Sequence, residues 1–323
     1  MRIVRVHGFG PPEVMKVEES EPPRPASGQV VVDVELAGAL FAETIVRSGR
    51  YPFPLPYEPG IEVAGRVTAA GPDVDPSLVG RRVVATTAGN TGGYAEQALA
   101  EVGNVYEVPS GLPLNRAVPV FQAGAVALSI LSAMRVQSGE TVLITAAAGR
   151  IGSLLVQLAT AQGLRVIAAA STAGKLAIAA DLGAAVTVDY SASGWVDEVK
   201  DATGGRGVDV VLDAIGGDLG EQAGQTAADG AGRIGVYGFA SGTWLPLDTL
   251  QIVQRGLTVV GPLGITFAKP LADQRADTEQ ALAAAAAGDL VPRVHATYPL
   301  DRAVDAHHDL EQRRNHGAIL LTP

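Results

Sequence analysis

The segment Thr141-Val142-Leu143-Ile144-Thr145-Ala146-Ala147-Ala148-Gly149-Arg150-Ile151-Gly152 decides how this chain is read. A short β-branched run, Thr141–Thr145, stops at small residues, and Gly149 and Gly152 then open a helical pattern. Such a strand-to-helix turn lets a pyrophosphate approach bare backbone at a helix N-terminus, where aligned peptide dipoles carry about half a positive charge. Gly149 would admit the phosphates, and Gly152 would let the helix pack close to the sheet. The turn is a variant of the dinucleotide fingerprint, with alanine where the first glycine usually stands. Ala148, Gly149, Arg150, Ile151 and Gly152 are the candidate cofactor-binding residues here. Arg150 could reach a phosphate or face solvent, and the sequence leaves both open. A Gly-Ala turn alone is a weak signal, so its surroundings carry the weight.

Those surroundings alternate strand and helix. After Thr141–Thr145 come a helix over 150–162, a strand Arg165–Ala170 and a helix through Lys175–Leu182. A strand Ala185–Tyr190, a helix near Trp195–Ala202 and a strand Val208–Ala214 follow, then a helix near 219–228 and strands at 233–239 and 257–261. Strands separated by crossover helices predict a parallel, doubly wound sheet. Before Phe121 the chain differs. Val30–Leu36 and Ile61–Ala69 read as strands, and prolines at 22, 23, 25, 52, 54, 56 and 59 break the rest into loops, which predicts a mainly β domain. After Leu263 a helix, a strand near His295–Leu300, a second helix and a strand at Ala318–Leu321 form a tail expected to return to that first domain. The expected organisation is α/β: a mainly β domain of residues 1–121 and 263–323, interrupted by a Rossmann domain of residues 122–262.

Composition bounds the function. The chain has 323 residues, 47% hydrophobic and 18% charged, which suits globular domains with packed cores. There is no cysteine, which removes disulfides, thiolate zinc sites and a cysteine nucleophile. The net charge of −10 argues against a nucleic-acid partner. The opening Met1–Gly8 has no long apolar core of a signal peptide, and no apolar run is read as reaching the ~20 residues of a bilayer span, so no membrane and a cytoplasmic setting are expected.

The second strand discriminates between nicotinamide cofactors. An NAD site usually carries Asp or Glu at the tip of that strand to hold the ribose 2′-hydroxyl. Here the tip is Ala168-Ala169-Ala170-Ser171-Thr172, without an acid, and Lys175 follows. Two hydroxyls and a cation suit a 2′-phosphate, hence NADPH, although Lys175 also reads as a solvated helix residue. Tyr190, at the end of the third strand, would add a donor if that end lies nearby.

Further motifs carry a resemblance that runs nearly end to end. They are Arg47-Ser48-Gly49-Arg50-Tyr51-Pro52, Gly60-Ile61-Glu62-Val63-Ala64-Gly65, Gly92-Gly93-Tyr94-Ala95-Glu96, the turn above, Lys175 with Leu182-Gly183-Ala184, Val208–Gly217, and Gly317 with Leu320–Pro323. With them the chain resembles the zinc-independent quinone oxidoreductases of the medium-chain dehydrogenase/reductase superfamily. The resemblance implies a GroES-like β domain beside the Rossmann domain, assembly as dimers or larger, and use of NADPH. It matches Lys175 and Tyr190 to 2′-phosphate contacts and Arg313 to a further cofactor contact. Zinc-containing relatives have a histidine where this chain has Ile61, and a four-cysteine lobe after the segment matching Gly92–Glu96. Both are missing, and the adjacent His307 and His308 lack the i, i+4 spacing that would chelate one ion, so no metal is expected.

Without a Lewis acid, alcohol dehydrogenation loses its activator, whereas a quinone or enone accepts hydride into a conjugated system. Tyr51 is the candidate pocket hydroxyl or proton donor, unless it is only a loop residue packed by Pro52; Glu43, Thr44 and Arg47 are weaker candidates for the substrate pocket. The family's asparagine, threonine, asparagine and arginine near the nicotinamide correspond here to Leu40, Val126, Phe239 and Gly261. Each change removes a polar group, which points to a more apolar pocket. The expected function is an NADPH-dependent, zinc-independent reductase of quinones or α,β-unsaturated carbonyls, working as a homodimer. Two alternatives stay open: an enoyl reductase for a bulky, polyketide-like intermediate, and a non-catalytic NADPH-binding protein.

Overall fold

The computed structural model describes all 323 residues. Its chain begins with β1 (Arg2–Val6), β2 (Met15–Glu19), β3 (Gln29–Ala39), α1 (Phe41–Arg47), β4 (Glu62–Ala70), β5 (Arg82–Thr87), β6 (Gln97–Glu107) and α2 (Leu114–Ala133). The middle carries β7 (Thr141–Ile144), α3 (Arg150–Ala161), β8 (Arg165–Ala170), α4 (Ala173–Asp181), β9 (Val186–Asp189), α5 (Trp195–Ala202), β10 (Val210–Asp213), α6 (Gly217–Gln225), β11 (Arg233–Val236), α7 (Thr249–Arg255) and β12 (Thr258–Val260). The chain ends with α8 (Pro262–Phe267), α9 (Leu271–Ala287), β13 (Val294–Pro299), α10 (Ala303–Glu311) and β14 (Ala318–Thr322).

Two compact units result: Met1–Gln122 with Leu282–Pro323, and Ala123–Ala281. Residues 263–281, which the sequence assigned to the first domain, therefore belong to the second unit. The physical reason lies on α9 and the turn before it. The Lys269 ammonium donates to Asp277 (2.6 Å) and to Ser129 (2.8 Å), and Ser129 donates to Asp277 (2.6 Å), tying this segment to the second unit's part of α2.

In the first unit six strands run in the order β13-β14-β3-β4-β5-β6, and β3 also pairs with β6. That extra pairing closes β3 through β6 on themselves. Residues Gln29–Asp33 of β3 pair with β6 while Ala37–Ala39 pair with β14, and register shifts between Val31 and Val32 and between Val34 and Leu36 supply the bend. The interior is apolar and includes Val32, Val63, Val83, Tyr94, Ile319 and Leu321, all fully buried.

In the second unit the parallel sheet has the order β12-β11-β10-β7-β8-β9. Strands β7 and β10 are buried at every position, which is why they read as continuous apolar runs rather than alternating ones. Leu143, Ile167, Val188, Trp195, Val199, Val211 and Ile234 share one core cluster, each contributing about 2 kcal/mol of burial. The chain reverses direction across the sheet between β7 and β10, so the crevice of a doubly wound fold opens above their carboxyl ends. One expectation fails. The 20-residue helix α2 is long and apolar enough to cross a membrane; 61% of that window is buried within the fold, as in a core helix.

Candidate functional site

At the carboxyl end of β7 the chain turns through Ala146, whose φ is +48°, and Gly149 N–H donates to Ala146 O (2.8 Å). Helix α3 then starts with Gly149 as its N-cap, and no side chain caps it. An N-terminus without a side-chain cap leaves first-turn N–H groups pointing outward for an anion. A Cβ at Gly152 would lie 2.3 Å from Ala146 O, so the helix can start this close to the turn only with glycine there. The close approach that the sequence attributed to helix-on-sheet packing is made against this turn. Gly149 is less constrained, its Cβ position being 3.1 Å from the same oxygen.

The neighbouring strand ends complete a cradle on one side of the crevice. Ser171 is half-buried beyond β8, and the Thr172 hydroxyl caps α4 by accepting from Lys175 N–H (3.3 Å). Lys175 stands in the first turn of that helix, half-buried. Tyr190 N–H donates to Ala170 O (3.2 Å), which brings Tyr190 beside Ser171, the proximity that the sequence left conditional. Its ring meets Trp195 edge-on at 6.5 Å. On the other side, beyond β11, the Phe239 ring lies against Trp244 with centroids 4.4 Å apart. Val126 is a half-buried residue of α2.

One residue of this end escaped the sequence. Asp213, fully buried at the tip of β10, accepts from Ile215 N–H (2.9 Å), Gly216 N–H (3.0 Å) and the Thr145 hydroxyl (3.2 Å). Burial pushes its carboxyl above the ordinary range against the pull of those donors. Asp213 was read only as part of the strand Val208–Ala214 and of the motif Val208–Gly217, with no role of its own. The signal that could have found it is a carboxylate at the carboxyl end of a core strand followed by Gly216-Gly217.

The first unit carries the remaining candidates. Leu40 precedes α1 and is half-buried, and Tyr51 lies past α1 with 58% of its surface exposed. Arg313 follows α10, exposed, with φ of +54°. Glu43 and Arg47, expected in a substrate pocket, are instead fully buried with their polar atoms turned to the fold. The Glu43 carboxylate accepts from Leu40 N–H (2.8 Å), Ile61 N–H (2.8 Å) and the Tyr94 hydroxyl (2.5 Å). The Arg47 guanidinium donates to Gly10 O (2.6 Å) and to Glu311. When Glu43 is ionised the Tyr94 proton goes to it, and the contact of Tyr94 with His307 Nε2 (3.1 Å) then has the ring donating from Nε2. His307 Nδ1 is then buried without a partner. Burial pushes Glu43 up to about 7, against hydrogen bonds from Tyr94, Leu40 and Ile61. Burial, with the Arg47 charge behind it, pushes His307 down to about 3.

Comparison with known proteins now bears on this geometry. Residues 26–110 match the family model of the alcohol dehydrogenase GroES-like domain, and residues 151–287 match that of zinc-binding dehydrogenases. A probable quinone oxidoreductase of Schizosaccharomyces pombe is 33% identical over 321 residues, covering 99% of this chain and 96% of the relative. The chain belongs to the quinone oxidoreductase family of the medium-chain dehydrogenase/reductases. It is accordingly an oxidoreductase. The quinone oxidoreductase of Sus scrofa is 32% identical, covering 97% of this chain and 95% of the relative. The structure of Escherichia coli quinone oxidoreductase complexed with NADPH superimposes with a TM-score of 0.92 at 29% identity, each chain covered completely. No three His, Asp or Glu side chains lie together as a metal site, and there is no cysteine.

Proposed function

We propose that this oxidoreductase reduces quinones or α,β-unsaturated carbonyls with NADPH and without zinc. The observation that carries the reading is the cradle at the carboxyl ends of β7, β8 and β9. It combines a helix α3 start that no side chain caps, an acid-free β8 tip, and Tyr190 beside Ser171. The first turn of α3, which begins after Gly149, would face the pyrophosphate. Ser171, Thr172, Lys175 and Tyr190 would hold the 2′-phosphate; β8 itself ends without a carboxylate, and Asp189 at the end of β9 is engaged by Ser191. Phe239, beside the crevice, and Arg313 complete the proposed cofactor contacts.

NADPH, when bound, supplies the hydride. The chain's own residues then bind, orient and exclude water. In the second unit Val126 and Phe239 are the proposed apolar pocket residues; in the first, Leu40 is a further apolar candidate and the exposed Tyr51 hydroxyl is the proposed proton donor. That apolar set also favours a second reading, an enoyl reductase for a bulky, polyketide-like intermediate, which shares the chemistry and differs in the acceptor. A cytoplasmic setting, where NADPH is available, belongs to the same proposal.

We also propose a homodimer built on the β12 edge. β12 pairs only with β11, so its outer backbone groups are open, and α7 beside it exposes Leu250 and Val253, the latter by 78%. An open edge with an apolar flank is suited to two-fold pairing with a second copy.

Cofactor choice is tested by titrating NADPH and NADH into wild type and Lys175→Ala. The variant is expected to lose about tenfold or more in NADPH affinity, the scale of one charge-assisted phosphate contact, and little in NADH affinity. Equal losses for both would refute the phosphate site.

A further inference from the structure

We propose that Asp213 and Thr145 are positioning residues for NADPH, acting as a clasp beneath the switch-point crevice. The inference rests on the cofactor reading above. β7 and β10 are the neighbouring strands between which the chain reverses direction, and their following loops form the two lips of the crevice. Parallel strands are held together by their ladder only as far as it extends. Here the ladder is carried one step past β7, by Thr145 N–H donating to Leu212 O (3.1 Å). Beyond that step the side chains take over. The Thr145 hydroxyl donates to Asp213 Oδ1 and accepts from Ala214 N–H (2.9 Å), so one hydroxyl joins the lip that leads into the phosphate turn to the lip that follows β10.

Asp213 then shapes the second lip. Its two carboxylate oxygens take the N–H groups of Ile215 and Gly216, which folds the loop back over the strand tip. Gly216 takes φ of +67° in that loop, and its Cβ position would be 2.2 Å from Thr243 O. Helix α6 is seated on the same carboxylate, since a Cβ at Gly220 would lie 2.6 Å from Asp213 Oδ2. The loop in turn holds the segment bearing Phe239. Ala240 N–H donates to Ala214 O (3.1 Å), Ser241 N–H donates to Ile215 O (2.8 Å), and Gly217 N–H donates to Trp244 O (3.3 Å). Three loops at the cofactor end of the sheet thus take their positions from one buried carboxylate and one hydroxyl. Neither group is exposed, so neither touches a ligand; they act through the backbone they hold.

The test measures NADPH dissociation constants by fluorescence titration, together with kcat and KM for NADPH and melting temperatures. The proteins are wild type, Asp213→Asn, Thr145→Val and Thr145→Ser. Thr145→Val removes the hydroxyl at nearly constant volume, and the clasp predicts about tenfold weaker NADPH binding, the scale of one buried group, the Ala214 N–H of the second lip, left without its acceptor. Asp213→Asn turns an amide N–H toward backbone donors and is expected to weaken binding at least as much. Thr145→Ser keeps the hydroxyl and should restore affinity to within about twofold, a rescue that general loss of packing would not give. If Asp213→Asn does not fold, the Val and Ser pair at position 145 decides alone. Variants that melt earlier yet bind NADPH as wild type does, at a temperature where they are folded, would overturn the clasp. Wild type that fails to bind NADPH would overturn the cofactor reading itself, and that result is separate because it appears before any substitution.

Discussion

Glu43 and His307 face each other through the Tyr94 hydroxyl in an interior without solvent, and they titrate in opposite senses. The Glu43 carboxyl rises from 4.5 to about 7 in the fold because burial disfavours its charge. The folded chain therefore holds that proton more tightly than the unfolded chain. The stability this contributes is fully present below pH 4.5 and is lost as pH rises to about 7. The His307 ring falls from 6.5 to about 3. Its contribution is fully present above pH 6.5 and is lost as pH falls toward 3. Between pH 4.5 and 6.5 both groups act, each with a slope of about 1.4 kcal/mol per pH unit, and the slopes cancel. The wild-type stability from this pair is thus level across that window, and each substitution exposes the other group. Relative to wild type, Glu43→Gln should gain about 3 kcal/mol as pH rises from 4.5 to 6.5, and His307→Gln should lose about as much. Arg47, Glu62, Tyr57 and His308 also act on the pair and are kept in all three proteins. Urea denaturation at several pH values, extrapolated linearly, measures those differences. Differences that stay flat with pH for both variants would refute the assignment of opposed buried titrations.

Other outcomes follow from the same structure. Gly152→Ala forces a Cβ to 2.3 Å from Ala146 O, and should cost about 2 kcal/mol in thermal or urea unfolding while weakening NADPH binding as α3 is displaced. Ala146 holds a left-handed conformation that costs an L-residue about 1 kcal/mol, so Ala146→Gly should leave stability unchanged or raise it by up to about that amount. Val253→Asp adds a charge to the most exposed apolar side chain beside β12, and light scattering should show a dimer turned into monomers; an unchanged mass would refute the proposed edge.

How far the sequence reached depended on the range of the interactions. The parallel sheet was legible because β7, β8 and β10 are buried on both faces and so appear as unbroken apolar runs. The phosphate turn was legible because its partners are a few residues apart, from Ala146 to Gly152. Helix α2 left no periodic signal of its own and was placed only through the family resemblance around Val126: its residues are apolar nearly all round, which erases the helical period, and Pro119 inside it reads as a breaker. Glu43 and Arg47 were read as pocket residues since their partners lie far away in sequence. Tyr94 and Ile61 bind Glu43, Glu311 binds Arg47, and no local pattern announces such pairings. Asp213 was hidden in the same way, its role depending on Thr145 across the sheet.

The central claim is that this chain passes hydride from NADPH to a conjugated acceptor, and the direct measurement is the loss of NADPH absorbance with 1,4-benzoquinone, a simple enone and an enoyl thioester as acceptors. The account predicts oxidation of NADPH, faster than that of NADH, by at least one of these, with metal chelators having no effect. Tight binding of NADPH with no oxidation by any of the three would contradict it.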